Sequence, residues 1–129
     1  KGAKYLVVVD GHAGPEVDGI AAGGLAFSPD GSRVAYVAQK GAKWSAVVDG
    51  EPGPEFDGIF VNTPVFSPDG SRVAYAAKKG AKYLVVVDGH AGPEVDDIAA
   101  GSLAFSPEGD TVNYLVKKGD QWVAVAYGD

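Results

Sequence analysis

The sequence predicts an all-β fold built from three tandem copies of one unit, and three observations support this prediction. The stretch FSPDGSRVAY (27–36) returns unchanged at 66–75 and, altered, as FSPEGDTVNY at 105–114, with a spacing of 39 residues both times. Each copy contains short runs rich in β-branched and aromatic residues, separated by Asp-Gly, Lys-Gly and Ser-Pro-Asp-Gly turn signals. No window combines helical periodicity with capping residues over the length of a helix.

The composition indicates a globular chain and excludes several classes of function. With 46% apolar and 22% charged residues the chain is too apolar for disorder, and it lacks the apolar run that a membrane helix needs. A net charge of −6 argues against a nucleic-acid partner, because a surface that follows phosphates needs a dense basic patch. The absence of cysteine excludes disulfides, thiolate nucleophiles and cysteine metal sites. We therefore expect neither a nucleic-acid nor a membrane partner.

Three ungapped copies occupy residues 1–39, 40–78 and 79–117, and residues 118–129 begin a fourth. The first and third copies agree at 30 of 39 positions, and the first and second agree at 25. Copies this similar indicate recent duplication or deliberate design. Because the chain begins at Lys1 with neither an initiator Met nor a signal peptide, we expect a processed form or a fragment, and its compartment is left open.

Each copy contains four predicted strands. In the first copy, KYLVVVD (4–10) and SRVAYVA (32–38) are apolar on both faces, so both faces must be covered. PEVDGI (15–20) carries Pro, Glu and Asp, residues that discourage edge-to-edge pairing, and is predicted as an outer edge strand. LAFSP (25–29) is short and follows Gly23 and Gly24, which favours an innermost strand. Short strands repeating with a period near 40 are typical of propeller blades that stack around an axis.

The motif FSPDGSRVAY, followed by a short polar turn and a VVDG strand, resembles the SPDG-type, WD-like β-propeller repeat of bacterial proteins. The resemblance covers the whole chain. It implies a four-stranded antiparallel blade with strand A at 25–29, strand B at 32–38, strand C at 43–49 and strand D at 54–59. Because such propellers bind proteins or peptides or accompany enzymes, the resemblance implies a fold and very little about function.

The order of the strands predicts self-association. From Lys1 the order is C-D, then A-B-C-D twice, then A-B-C, so residues 1–129 form one three-blade unit. Propellers typically need four to eight blades to surround an axis. We therefore predict a ring of identical chains, with a six-bladed homodimer favoured over a nine-bladed homotrimer. The first D strand and the last A-B-C strands would share one blade, and residues 4–10 and 121–127 compete for its C position.

No constellation of residues predicts catalysis, a cofactor or a metal. His12 and His90 occupy equivalent loops, but residues one blade apart diverge and neither has a second His nearby. Asp30 lies in a turn whose local hydrogen bonding explains it, and DGHAGPEVDG lacks the ligand spacing of a calcium loop. We expect a scaffold that is not an enzyme.

The D–A connection, which approaches the predicted central channel, differs most between the copies: AAGG at 21–24, FVNT at 60–63 and AAGS at 99–102. Phe60, Asn62 and Thr63 supply the mixed aromatic and polar side chains there, which is the pattern of a ligand pocket. They support an alternative function, a recognition module that binds a peptide or glycan at the channel entrance. The competing interpretation is that Phe60 fills a packing gap left by smaller neighbours.

Overall fold

The structure is a computed structural model that describes residues 4–9, 11–21, 25–60, 64–99 and 101–128. In chain order its strands are β1 (Val8–Val9), β2 (His12–Ala13), β3 (Gly19–Ile20), β4 (Ala26–Phe27), β5 (Val34–Lys40), β6 (Lys43–Val48), β7 (Glu51–Phe56), β8 (Gly58–Ile59), β9 (Val65–Phe66), β10 (Val73–Lys79), β11 (Lys82–Val87), β12 (His90–Ala91), β13 (Ala104–Phe105), β14 (Thr111–Lys118) and β15 (Gln121–Gly128). The described ranges contain no helix, and hence no helix long and apolar enough to cross a membrane.

The strands form four antiparallel groups in sequence order, which confirms the all-β prediction. Strands β1 and β2 form the N-terminal hairpin. The first sheet contains β3 to β7 and the second sheet β8 to β12, with the same order of pairing in both. The third sheet contains β13, β14 and β15. Each of the two five-stranded sheets has two long strands at its centre, β5 and β6 in the first and β10 and β11 in the second.

Two kinds of turn set this pairing, and both follow from the sequence. In the Ser-Pro-Asp-Gly turn the N–H of Gly31 donates to the carbonyl of Ser28 at 2.9 Å, and Gly31 has a φ of 78°. Between β6 and β7, Asp49 and Gly50 have φ values of 52° and 85°. Two consecutive left-handed residues are what a type I′ hairpin requires, and Asp-Gly is among its preferred pairs. The Asp-Gly motif thus fixes the hairpin that brings β7 beside β6.

The hydrophobic core lies between successive groups, which stack face to face. Val7, which precedes the N-terminal hairpin, packs against a buried cluster that contains Tyr36 and Val47 of the first sheet. The next layer, between the first and second sheets, contains Ala46, Phe56, Tyr75, Ala77, Leu84 and Val86. Between the second and third sheets the core contains Ala74, Ala76, Val85, Val87, Ile98, Val112, Tyr114 and Val116. This stacking covers both faces of β5 and β10, whose first five residues are all buried, as the two-sided apolar patterns predicted.

The predicted fourth strand of the second copy (54–59) is divided in the structure. Strand β7 starts earlier, at Glu51, and forms the outer edge of the first sheet, whereas Gly58 and Ile59 pair with β10 in the second sheet. The division occurs at Asp57, whose N–H donates to the carbonyl of Lys78 and whose carboxylate accepts from the N–H of Gly80. Strand β7 is an edge strand, as predicted. The residues that follow it, Gly58 and Ile59, pair with β10 and so connect the first sheet to the second.

Candidate assembly surfaces

The third sheet exposes positions that are buried in the two sheets before it. In β10 Ala74 and Ala76 are no more than 1% exposed, because the third sheet covers them. At the equivalent positions of β14, Asn113 is exposed and Leu115 is 38% exposed. Burial alternates along β14, which shows that the third sheet is covered on one face and open on the other.

The open face of the third sheet, here called the C-terminal face, is mainly apolar, with Asn113 and Lys117 as its polar members. In the register of β14 and β15, Leu115 lies opposite Ala124, Asn113 opposite Ala126, and Lys117 opposite Trp122. Side chains directly opposite each other project to the same side of an antiparallel pair. Trp122 is 47% exposed on this face, although it occupies the position of Tyr83 in β11, which is half-buried.

A second apolar surface, here called the N-terminal face, lies at the other end of the stack. Leu6 and Val8 are exposed and alternate with Val7, so they point away from the first sheet. Leu25 and Phe27 are also exposed, but they belong to the first sheet, where the pairing of Phe27 with Val34 places its ring on the side that faces the N-terminal hairpin. Phe27 is 55% exposed, whereas the equivalent Phe66 and Phe105 are half-buried. Both ends of the stack thus present the kind of surface that each inner interface buries.

Arginine side chains link successive sheets and explain why Phe27 differs from its equivalents. Arg33 pairs with Asp49 through Nε at 2.9 Å and donates from its terminal nitrogen to the carbonyls of Gly70 and Ser71 at 2.9 and 3.0 Å. Its guanidinium carbon lies 5.5 Å from the ring centroid of Phe66, within the range of a cation–π contact. One repeat later, Arg72 reaches the carbonyl of Gly109 and the ring of Phe105 in the same way. The equivalent position of the third sheet is Thr111, so this series of arginines ends there.

A second repeated link lies at the opposite end of the strands. Asp57 pairs with Lys43 and accepts a hydrogen bond from the N–H of Gly80 at 2.6 Å, which joins the first sheet to the turn between β10 and β11. Asp18 likewise forms an ion pair with Lys4 and accepts a hydrogen bond from the N–H of Gly41 in the first sheet. The lysine in each pair lowers the pKa of the aspartate, and the backbone N–H lowers it further. Asp96 pairs with Lys82 but, within the described ranges, has no such bond to the third sheet.

Two equivalent clefts lie between neighbouring groups of strands, and a tyrosine side chain lines each of them. One cleft of about 340 Å³ lies between the N-terminal hairpin and the first sheet and includes His12, Gly14 and Tyr36. The other, of about 310 Å³, lies between the first and second sheets and includes Gly53 and Tyr75. Neither tyrosine hydroxyl has a hydrogen-bond partner among the described residues, and burial raises the pKa of Tyr75 to about 12. A side chain at Gly14 would meet the Tyr36 hydroxyl at 2.9 Å, so glycine leaves room for the ring.

The structure places only one of the three predicted ligand residues. Phe60 is half-buried against the core between the second and third sheets, with its ring edge-on to Tyr83 at a centroid distance of 5.6 Å. Asn62 and Thr63 lie outside the described residues. The contact with Tyr83 supports the packing interpretation of Phe60, and the peptide or glycan site at the channel entrance stays a prediction.

The polar residues considered for metal binding or catalysis lie apart or in turns. His12 and His90 are both exposed, and the described residues contain no group of three His, Cys, Asp or Glu side chains that could hold a metal ion. The carboxylate of Asp30 accepts from the N–H and hydroxyl of Ser32 and from the hydroxyl of Ser28, as expected for a turn aspartate. These bonds, led by that from the Ser32 N–H, lower the pKa of Asp30 to about 2.

Comparison with known proteins adds no family to these observations. Neither a scan against protein-family models nor a search of curated proteins gives a match to this chain. The sequence prediction also missed the linking roles of Arg33 and Asp57. The sequence did contain a signal for the role of Arg33, because the third copy has Asp-Thr-Val-Asn-Tyr in place of Ser-Arg-Val-Ala-Tyr. These are the positions from which side chains would contact a following sheet.

Proposed function

We propose that the chain is a non-catalytic scaffold that assembles with identical copies into a closed β-propeller. Each sheet supplies a blade of the SPDG type, and the third sheet is completed by a strand from another copy. Two chains then form a six-bladed ring, which we favour because six lies within the usual range, and three chains form a nine-bladed ring.

The observation that carries this proposal is the difference in burial between equivalent positions. Ala76 is 1% exposed where the third sheet covers it, whereas Leu115 is 38% exposed at the end of the stack. At the other end, Phe27 is 55% exposed on the side of the first sheet that a complete preceding sheet would cover. The two end faces repeat the two sides of each inner interface, so contact between two copies would continue the stacking that already holds the sheets together. Burial of their apolar side chains supplies the driving force.

The proposal is tested by the mass in solution, measured by light scattering across a dilution series. A chain of 13.2 kDa is expected to give about 26 kDa as a dimer or about 40 kDa as a trimer at high concentration, falling on dilution. A folded chain of 13.2 kDa at every concentration up to the millimolar range would exclude the ring. A mass that grows without limit would indicate an open array instead of a closed one.

A further inference from the structure

Among the described residues, the outer edge of β15 lacks the strand that covers the equivalent edge of both inner sheets. In the first sheet β7 covers the edge of β6, and in the second sheet β12 and a bridge from Val95 to Tyr83 cover the edge of β11. In the third sheet β14 lies on one side of β15, and none of the described strands lies on the other. An open edge of eight residues is a template for pairing with another strand.

The segment 12–17 has the hydrogen-bonding pattern that this edge would accept. It pairs with its own N-terminal strand through reciprocal bonds between Tyr5 and Val17, both 2.8 Å, and through the N–H of Gly14 to the carbonyl of Val7 at 2.9 Å. The second sheet repeats the pattern between Tyr83 and Val95. Trp122 and Ala124 occupy the positions of Tyr5 and Val7 in the repeat, so β15 carries the same donors and acceptors.

We propose that segment 12–17 of one copy pairs with β15 of the next, and that the N-terminal strand, residues 5–9, is the strand displaced. This inference rests on the proposed ring and specifies which strand completes the shared blade. Each backbone hydrogen bond that segment 12–17 loses to residues 5–9 is replaced by one to β15, so the exchange costs no hydrogen bonds. The gain is the burial of Leu115 and Trp122 against the first sheet of the neighbour.

The two competing strands are held to very different extents. Strand β15 is paired with β14 from Gln121 to Gly128, at eight positions. Within the described ranges, residues 5–9 pair only with segment 12–17, which would pair with β15 instead, and their main packing contact is that of Val7 with the cluster around Tyr36. Displacing residues 5–9 therefore breaks no pairing with any sheet, whereas displacing β15 would dismantle the third sheet.

The path of the chain also permits the exchange. Gly19 and Ile20 pair with Gln39 and Ala38 at the inner edge of the first sheet, in the same way that Gly58 and Ile59 pair with β10 after β7. Segment 12–17 therefore enters the first sheet as β7 enters the second. When segment 12–17 pairs with β15 of another copy, the third sheet of that copy lies against the first sheet. The two sheets are then arranged as the first and second sheets are within one chain.

One rim contact distinguishes the two arrangements. Asp18 pairs with Lys4 when segment 12–17 stays beside its own strand, as Asp57 pairs with Lys43. After the exchange, the neighbour of Asp18 is the residue at the position of Lys4 in β15, which is Gln121. Gln121→Lys would restore the ion pair only in the exchanged arrangement.

The first experiment measures the dissociation constant of the full-length Gln121→Lys chain by sedimentation velocity in low salt. An exposed ion pair of this kind is expected to tighten assembly by about two- to fivefold per interface, and 1 M salt should remove the effect. In a background of Asp18→Asn, Gln121→Lys should have no effect. An equal change in both backgrounds, or no change in either while the unmodified chain still assembles, would overturn the exchange and leave the ring intact.

The second experiment compares two equivalent positions, with Val7→Asn and Ala124→Asn in the full chain. If residues 5–9 are displaced, Val7→Asn weakens only the closed hairpin and tightens assembly, whereas Ala124→Asn places an amide in the new interface and weakens assembly by about tenfold or more. The reverse pattern would show that residues 5–9 stay and β15 leaves, which overturns the exchange. If the unmodified chain does not assemble at all, the proposed ring fails together with the inference that rests on it.

Discussion

Replacing Trp122 by Thr is expected to weaken assembly of the chain while leaving the fold of each copy in place. Trp122 lies on the C-terminal face and is 47% exposed, so its removal disturbs little of the core within one copy. Threonine keeps the high β-propensity that the strand needs. The loss should therefore appear in the dissociation constant and not in the unfolding of the monomer.

The magnitude follows from the area that assembly would cover. A tryptophan side chain buries up to roughly 250 Å², so an exposed fraction of 47% corresponds to about 120 Å². If assembly covers about two thirds of this area, the lost burial is worth about 2 kcal/mol per interface at about 25 cal/mol per Å². A closed dimer has two such interfaces, so its dissociation constant should rise by about a thousandfold.

The assay is sedimentation velocity over a dilution series, with Trp44→Thr as the matched control. Trp44 occupies the equivalent position of β6, inside the chain, so its replacement should lower the free energy of unfolding of each copy. A dissociation constant for Trp122→Thr within about threefold of that of the unmodified chain would refute the assignment of the C-terminal face to assembly.

Three further outcomes are expected. Thr111→Arg should tighten assembly about three- to tenfold per interface, because it restores the guanidinium–phenyl contact of the inner sheets on Phe27 of the next copy; the gain should vanish with Phe27→Ala, and a gain that persists would contradict this pairing. Asp69 has a pKa lowered from 3.8 to about 2, led by the N–H of Ser71, so it stabilises the fold fully above about pH 4 and progressively less as the pH falls towards 2. Asp69→Asn should lower the urea midpoint at neutral pH and flatten its decline in acid, and an unchanged acid profile would be evidence against the turn carboxylate. Tyr75→Phe should leave the free energy of unfolding unchanged or raise it by up to about 1 kcal/mol, because the buried hydroxyl has no partner among the described residues; a loss above about 1 kcal/mol in urea unfolding would contradict this.

Much of the local structure could be predicted because it depends on neighbouring residues. The Ser-Pro-Asp-Gly turn is stabilised by bonds within five residues, and the Asp-Gly hairpin by the backbone freedom of two. The apolar pattern of β5 indicated that both of its faces are covered, since a strand with one solvated face would alternate. The candidate residues Phe60, Asn62 and Thr63 were less predictable, because whether an aromatic ring binds a ligand or packs depends on what lies beside it.

The sequence by itself determined the repeat, the all-β class, the turns and the incomplete set of strands at each end, because these follow from spacing and from local conformational preference. Only the tertiary structure decided that the fourth run divides at Asp57, that Arg33 and Arg72 link one sheet to the next, and that Leu115 and Trp122 share one exposed face. These features depend on contacts between residues far apart in the chain. Arg33 and Gly70 are 37 residues apart, so neither segment alone predicts their contact, although the replacement of arginine by Thr111 in the third copy marks the position.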